Sequence, residues 1–122
     1  MDKKEIKKIL RVYPYIKKDI EDGKEFSIYK RNGKKYKINI PKWAYCINSL
    51  ISRILENEKD DIVSKIIIQD YIKGYKDKKI ISNYPITESG YYRIKRKFEE
   101  KLYELYVLLG YVSEKEILNN EV

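Results

Sequence analysis

Apolar residues recur at helical spacing over the first part of the chain and then change to a period of two. In residues 2–22 they return every three or four positions, which predicts a helix that Pro14 kinks or splits in two. Residues 26–40 alternate apolar and polar positions around Asn32-Gly33, a pair that tolerates the positive φ angles of a tight turn. This pattern predicts a two-stranded β-hairpin. Because an isolated hairpin is marginally stable, we expect it to pack on the helices.

The middle of the chain returns to helical spacing in two segments. Pro41 begins a predicted helix that runs to Glu56, and Cys46 lies beside its apolar stripe, where we expect a small buried residue. Residues 61–75 are apolar almost all round, which is typical of a helix buried at the centre of a domain. Gly74 and the polar residues after it are expected to end this helix.

The C-terminal part of the chain predicts a short helix, a tight turn and a long helix. Residues 78–83 allow one or two helical turns before Tyr84-Pro85 breaks the pattern. Thr87 is a candidate N-cap for a helix from Glu88 to Leu109, which Gly110 is expected to end. A short helix joined by a tight turn to a longer one is the order of elements in a helix-turn-helix. We therefore predict a mainly α fold, a helical bundle with a C-terminal helix-turn-helix and one small β-hairpin.

Composition narrows the chemistry that this fold can perform. The 122 residues include 27 Lys and Arg against 19 Asp and Glu, a formal net charge of +8, with no His and one Cys. A thiol–imidazole pair, a Ser-His-Asp triad and a His-ligated metal are therefore excluded, and we expect no enzyme, cofactor or metal site. One cysteine cannot form an internal disulfide, and no apolar run is long enough to span a bilayer. We expect a cytoplasmic protein with a polyanionic partner and no membrane contact.

The long C-terminal helix carries the candidate recognition residues. In a helix-turn-helix the second helix enters the major groove and contacts base edges through its N-terminal residues. Cations early in a helix oppose its dipole, at a cost of up to about 1 kcal/mol each. A polyanionic partner explains this placement better than a charged face that is only solvated. The apolar stripe of this helix leaves four polar side chains on its opposite face, and we predict that these read bases: Ser89, Tyr92, Arg93 and Arg96.

The same segment resembles a known family. The stretch YIKGYKDKKIISNYPITESGYYRIKRKFEEKLYELYVLLGY is similar to the C-terminal half of the ArpU/RinA-type phage transcriptional regulators, whose helix-turn-helix is like region 4 of sigma factors. The likeness rests on Tyr91-Tyr92-Arg93, the basic residues that follow, and Leu108-Leu109-Gly110, and it covers roughly residues 60–112. Gly90 departs from a good helix start. The resemblance implies a DNA-binding regulator of phage late or packaging genes, in a bacterial host cell, that acts beside RNA polymerase.

The rest of the chain supplies further cations. We assign residues 1–57 to an N-terminal helix, basic hairpin and helix, residues 58–112 to the sigma region 4-like helix-turn-helix, and residues 113–122 to a polar tail that frays or forms a short turn. Seven cations and one acidic residue lie between positions 24 and 42. They either contact a DNA backbone or protect exposed strands from aggregation, and both interpretations stay open. The candidate backbone contacts are Lys34, Lys35, Lys37, Lys78, Lys79, Lys95 and Lys97.

Taken together, these features predict a sequence-specific, double-stranded DNA-binding transcriptional regulator of phage or prophage genes. The expected partners are duplex DNA and, from the resemblance, RNA polymerase, and a homodimer stays open. Two other functions are compatible with the same sequence. One is a DNA-packaging accessory protein like a small terminase subunit, which would form rings. The other is a phage inhibitor that docks its basic surface on a host protein.

Overall fold

The computed structural model describes residues 3–120, and side chains within residues 3–108. It is mainly helical with one antiparallel hairpin, which confirms the predicted fold class. The elements in chain order are α1 (Lys3–Glu21), β1 (Phe26–Arg31), β2 (Lys34–Asn39), a 3₁₀ helix (Lys42–Cys46) that leads into α2 (Ile47–Asn57), α3 (Asp61–Ile67) with a π-helical turn (Ile68–Ile72), α4 (Asp77–Asn83) and α5 (Glu88–Asn120).

Helix α1 supplies one side of the core along its whole length. It packs against the hairpin, the π-helical turn and α5, while α2 packs against α5. The apolar stripe that predicted the helix is the face that is buried, as expected for an amphipathic helix that wraps a core. Its buried residues are Ile6, Ile9, Leu10, Val12, Tyr13, Ile16 and Ile20.

Pro14 does not split α1. The sequence predicted either a kink or a division at Pro14; the helix runs through Pro14 as a single element, so the division does not occur. Proline removes one backbone donor, but Leu10 before it and Ile16 after it are both buried in the same core. Packing on both sides of the proline therefore holds the helix together, because tertiary burial stabilises helices more than intrinsic propensity does.

The start of the second helical segment changes the predicted burial of Cys46. The cysteine is exposed, and Ala44 is fully buried instead. Residues Lys42–Cys46 form a 3₁₀ helix, which has three residues per turn rather than 3.6. The first turn is therefore out of phase with the α-helical stripe that follows it, and the prediction of a buried cysteine is wrong.

The segment predicted to be buried all round is buried on one side only. Ile66, Ile67 and Tyr71 are buried, but the side chain of Ile62 is 40% exposed. The helix changes to π geometry at Ile68, and the Lys73 amide donates to the Ile68 carbonyl over 2.9 Å. The surrounding elements cover this segment on one side, which a pattern of apolar residues alone does not reveal.

Gly110 does not end the last helix, and residues 113–120 neither fray nor turn. Helix α5 continues as a helix to Asn120, so both predictions are wrong. A glycine inside a helix costs about 1 kcal/mol relative to alanine, which weakens a helix without ending it. Glycine ends a helix where it takes the left-handed conformation, as Gly23 and Gly74 do with φ +71°.

The hairpin turns at Asn32-Gly33 as predicted, with φ angles of 52° and 77°. Its register pairs Ser27 with Ile38, and these residues share the face that packs on the helices. Ser27 is 1% exposed and its hydroxyl donates to Asp19 on α1. On the opposite face, Phe26 and Ile28 are about half exposed or more. The hairpin is therefore fixed to α1 through one face and leaves the other open to solvent.

The close approach of Gly74 to α1 can be tested with alanine. Gly74 and Gly23 both have φ +71°, but a Cβ on Gly74 would lie 3.0 Å from Pro14 Cβ, whereas nothing lies within 4 Å of Gly23. We expect Gly23→Ala to lower the free energy of unfolding by about 1–2 kcal/mol, from the left-handed backbone alone. Gly74→Ala should cost at least about 1 kcal/mol more, because of overpacking against Pro14. Urea denaturation measures both; equal losses would show that Pro14 moves away freely.

Candidate nucleic-acid interface

The short helix, the turn and the long helix are built from local signals. Ile80 of α4 is fully buried, and the Ile86 amide donates to the Tyr84 carbonyl within the turn. The Thr87 hydroxyl accepts a hydrogen bond from the Gly90 amide over 3.0 Å, which confirms Thr87 as the N-cap of α5. A small cluster of Ile66, Ile80 and Tyr91 then joins α3, α4 and the first turn of α5.

The first three turns of α5 separate a buried face from an exposed one. Tyr91 is fully buried and Phe98 is 3% exposed, as the apolar stripe predicts. The opposite face carries the predicted recognition residues, and all four are exposed: Ser89, Tyr92, Arg93 and Arg96. Among the described residues, neither Arg93 nor Arg96 has a hydrogen-bond or ion-pair partner. Their guanidinium groups are therefore available to a ligand.

A hydroxyl and two carboxylates join α5 to the elements before it. The Tyr91 hydroxyl lies 2.6 Å from Asp70 Oδ2 and 2.7 Å from Asp77 Oδ1, within hydrogen-bond distance of both. Lys95 Nζ lies 3.4 Å from the Asp70 carboxylate and 3.8 Å from that of Asp77. We refer to Asp70, Asp77, Tyr91 and Lys95 as the Tyr91 cluster. It links the π-helical turn, the start of α4 and the start of α5.

Burial shapes the protonation of this cluster. It raises the pKa of the Asp70 carboxyl above its ordinary value, an effect that the Tyr91 hydrogen bond and Lys95 partly offset. Burial also raises the pKa of the Tyr91 hydroxyl far above its ordinary value, and the two acceptor carboxylates raise it further. Tyr91 therefore stays protonated and donates. Lys95 supplies the positive charge that offsets the repulsion between the two carboxylates.

Next to this cluster lies an open groove of about 1080 Å³. Helix α1 and the hairpin turn form one side, while the loop before α4 and the start of α5 form the other. Seven cationic and three acidic side chains line it. Of the residues predicted from the sequence, the structure brings four to this groove: Tyr92, Arg96, Lys78 and Lys95.

The other predicted residues lie outside the groove. Ser89 is beside Thr87, with the two hydroxyl oxygens 3.3 Å apart, and Arg93 points to solvent. Two of the lysines cover aromatic rings, Lys37 at 4.7 Å from the centre of Phe26 and Lys79 at 4.1 Å from that of Tyr75. The remaining predicted backbone contacts are exposed: Lys34, Lys35 and Lys97.

Four cations of the groove were not predicted as site residues. Lys7 lies 4.0 Å from Glu99, and the other three, Arg11, Arg31 and Lys76, have no ion-pair partner among the described side chains. The sequence contained a partial signal for Arg11, because Arg11 and Tyr15 are four residues apart and therefore lie side by side on the polar face of α1. The sequence does not show that this face lies opposite α5, and that information comes only from the fold.

The chain matches no protein-family model, and neither a curated protein nor a solved structure is significantly similar to it. Within the described residues, no helix combines the length and apolar character that a membrane crossing requires. The same part of the chain contains no group of three or more Cys, Asp or Glu residues arranged to hold a metal ion.

The Tyr91 hydroxyl can be removed without changing the ring. We expect Tyr91→Phe to lower the free energy of unfolding by about 1.5–3 kcal/mol, because a buried hydrogen bond to charged groups is lost. Tyr92→Phe is the matched control, since its hydroxyl also bonds Asp77 but at the surface, over 3.1 Å. Thermal and urea denaturation measure both variants. Equal stability of Tyr91→Phe and the wild type would contradict a structural role for the hydroxyl.

Proposed function

We propose that this protein is a sequence-specific, double-stranded DNA-binding protein that regulates transcription, and that the first three turns of α5 read the major groove. One observation carries the proposal: on the exposed face of α5, Arg93 and Arg96 have no partner among the described residues. They lie in the first three turns of the helix, which is capped by Thr87 and packed against the protein at its N-terminus. Recognition helices contact bases from this position, and unpaired arginine is the side chain best suited to guanine.

The position of α4 supports the proposal. Ile80 and the Tyr91 cluster hold the short helix against α5 through a buried side chain and a hydrogen bond. A recognition helix has to be held rigidly, because a base contact requires placement within a fraction of an ångström.

Lys95 belongs to this support, since its ammonium group is already paired with Asp70 and Asp77. We therefore retain Lys78 and Lys97, which have no such pairs, as the phosphate contacts near α5.

The net charge of +8 supports a polyanionic partner as well. Each neutralised phosphate contributes about −0.9 to the slope of log K against log salt concentration on duplex DNA. The resemblance to ArpU/RinA-type regulators extends the proposal to phage or prophage promoters and to a contact with RNA polymerase. These partners are tested by selection of bound duplexes from a random pool and by co-purification with polymerase.

Arginine-to-lysine substitutions test the recognition face. Arg93→Lys and Arg96→Lys keep the charge but lose the fork that bonds guanine O6 and N7 together. We expect each to lower discrimination at one base position by about 1–3 kcal/mol, with little change in affinity for non-specific duplex. The measurement is fluorescence anisotropy with the preferred duplex and single-base variants of it.

Arg53→Lys is the control for these variants, because Arg53 is exposed on α2 and is not part of the α5 face. It should retain wild-type selectivity. If Arg93→Lys and Arg96→Lys both retain it too, the exposed face of α5 does not read bases.

The hairpin lysines separate the two interpretations of the basic strands. If the hairpin contacts the backbone, Lys34→Ala combined with Lys35→Ala should weaken all duplexes equally and lower the salt slope by about one unit per lost contact. Lys59→Ala with Lys101→Ala removes the same charge from exposed positions outside the hairpin, in the loop before α3 and on α5 beyond its first three turns. Equal effects of the two double variants, together with lower solubility of the hairpin variant, would identify protection from aggregation as the role of these lysines.

A further inference from the structure

We propose that the groove between α1, the hairpin turn and α5 binds an unpaired stretch of nucleic acid, with phosphates on Arg11 and Arg31 and bases stacked on Tyr15 and Tyr92. The proposal takes nucleic acid as the ligand class from the proposed function. It adds a second site, which shares Tyr92, Arg96 and Lys78 with the surface around α5 proposed to contact duplex DNA but does not include Arg93, and a different form of the ligand.

The groove gathers cations that the fold itself does not use. Helix α1 contributes Arg11, the end of β1 contributes Arg31, and α5 contributes Arg96. These three arginines, with Lys76 and Lys78 beside them, have no ion-pair partner among the described residues. Positive charges that converge without carboxylate partners repel one another, so a polyanion that enters between them relieves the repulsion.

The three carboxylates of the groove offset only part of the charge of its seven cationic side chains, and each of them is engaged by a neighbour other than the arginines. Asp70 and Asp77 bond Tyr91 and pair with Lys95. Glu99 accepts a hydrogen bond from the Tyr71 hydroxyl over 2.9 Å and lies 4.0 Å from Lys7 Nζ. Each acidic group thus contacts a neighbour within the protein, whereas the arginines of the groove have no such partner among the described residues.

Aromatic rings provide the second component of the site. Tyr15 is 44% exposed and Tyr92 is 41% exposed, and both line the groove. Tyr15 stacks on Tyr29 with ring centres 5.9 Å apart, and Tyr29 stacks on Tyr36 at 5.6 Å. Tyr15 is therefore the first of three stacked rings. Because Tyr29 already holds the Tyr15 ring in place, the side chain of Tyr15 loses little conformational freedom when a base stacks on it.

The shape and lining of the groove favour unpaired bases. A base within a duplex has both ring faces covered by its neighbours, so only an unpaired base can stack on a tyrosine. A volume of about 1080 Å³ lies at the upper end of the range for small-molecule sites, which leaves room for more than one nucleotide. The cations lie on several elements around the groove, which suits successive phosphates of a strand better than one phosphate group.

The test measures binding of a fluorescent eight-residue oligothymidylate and of the preferred duplex to the full chain by anisotropy. Arg11→Ala with Arg31→Ala should lower the salt slope for the oligothymidylate by about 1.4, since each phosphate contact on a single strand contributes about 0.7. Lys4→Ala with Lys8→Ala is the matched control, because it removes two charges from exposed positions of α1 outside the groove and should leave the slope unchanged.

Tyr15 variants test the stacking separately. Tyr15→Leu should weaken binding of the oligothymidylate by about five- to a hundred-fold, while Tyr15→Phe should retain it because the ring remains. Circular dichroism and thermal denaturation verify that each variant is folded. Equal affinity of Tyr15→Leu and the wild type would overturn the assignment of bases to this ring.

The two nucleic-acid proposals fail in different ways. Binding of the duplex without binding of the oligothymidylate overturns the groove proposal and leaves the recognition helix in place. If the Arg11/Arg31 variant loses affinity for the duplex to the same extent as for the oligothymidylate, the groove contacts duplex backbone. That outcome also overturns the groove proposal. Displacement of the oligothymidylate by micromolar thymidine monophosphate overturns it in favour of a mononucleotide site. Absence of binding to either nucleic acid contradicts both proposals.

Discussion

One hydroxyl group determines how the C-terminal half of this protein is arranged. The Tyr91 hydroxyl lies between two carboxylates from different elements, Asp70 on the π-helical turn and Asp77 at the start of α4. Two carboxylates do not approach one another in a partly buried site unless a donor and a positive charge hold them, and Tyr91 and Lys95 provide these. Without the cluster, α4 would be fixed mainly by the buried side chain of Ile80.

This constraint also determines which side of α5 faces outward. Tyr91 is directed into the protein by its hydroxyl as well as by its ring, so the residues on the opposite face are exposed. Lys95 offsets one of the two negative charges of this carboxylate pair, which would otherwise reduce the positive potential of the groove further. The same contacts thus hold the helices together and engage the carboxylates away from the arginines of the groove, which connects the packing of the fold to the ligand that we propose for it.

The turn and the helix cap were predicted correctly from local signals, the helix end at Gly110 was not, and side-chain contacts between separate elements were not predicted. The turn at Asn32-Gly33 and the cap at Thr87 depend on residues within a few positions, and both are present. Burial of the Tyr91 ring followed from the apolar stripe of α5. Its hydroxyl partners, 14 and 21 positions away, did not, because no periodicity encodes a contact between separate elements. Arg11 was missed for the same reason.

The π-helical turn has a consequence for insertions and deletions in this protein. A π turn contains one residue more than an α-helical turn, and here it allows the consecutive residues Asp70 and Tyr71 both to contact α5, Asp70 at Tyr91 and Tyr71 at Glu99. Deletion of one residue between positions 68 and 72 would restore α geometry and rotate one of these side chains away by about 100°. Related chains that differ in length by one residue at this point should therefore differ in how α4 is attached, although their helices would begin and end at the same places.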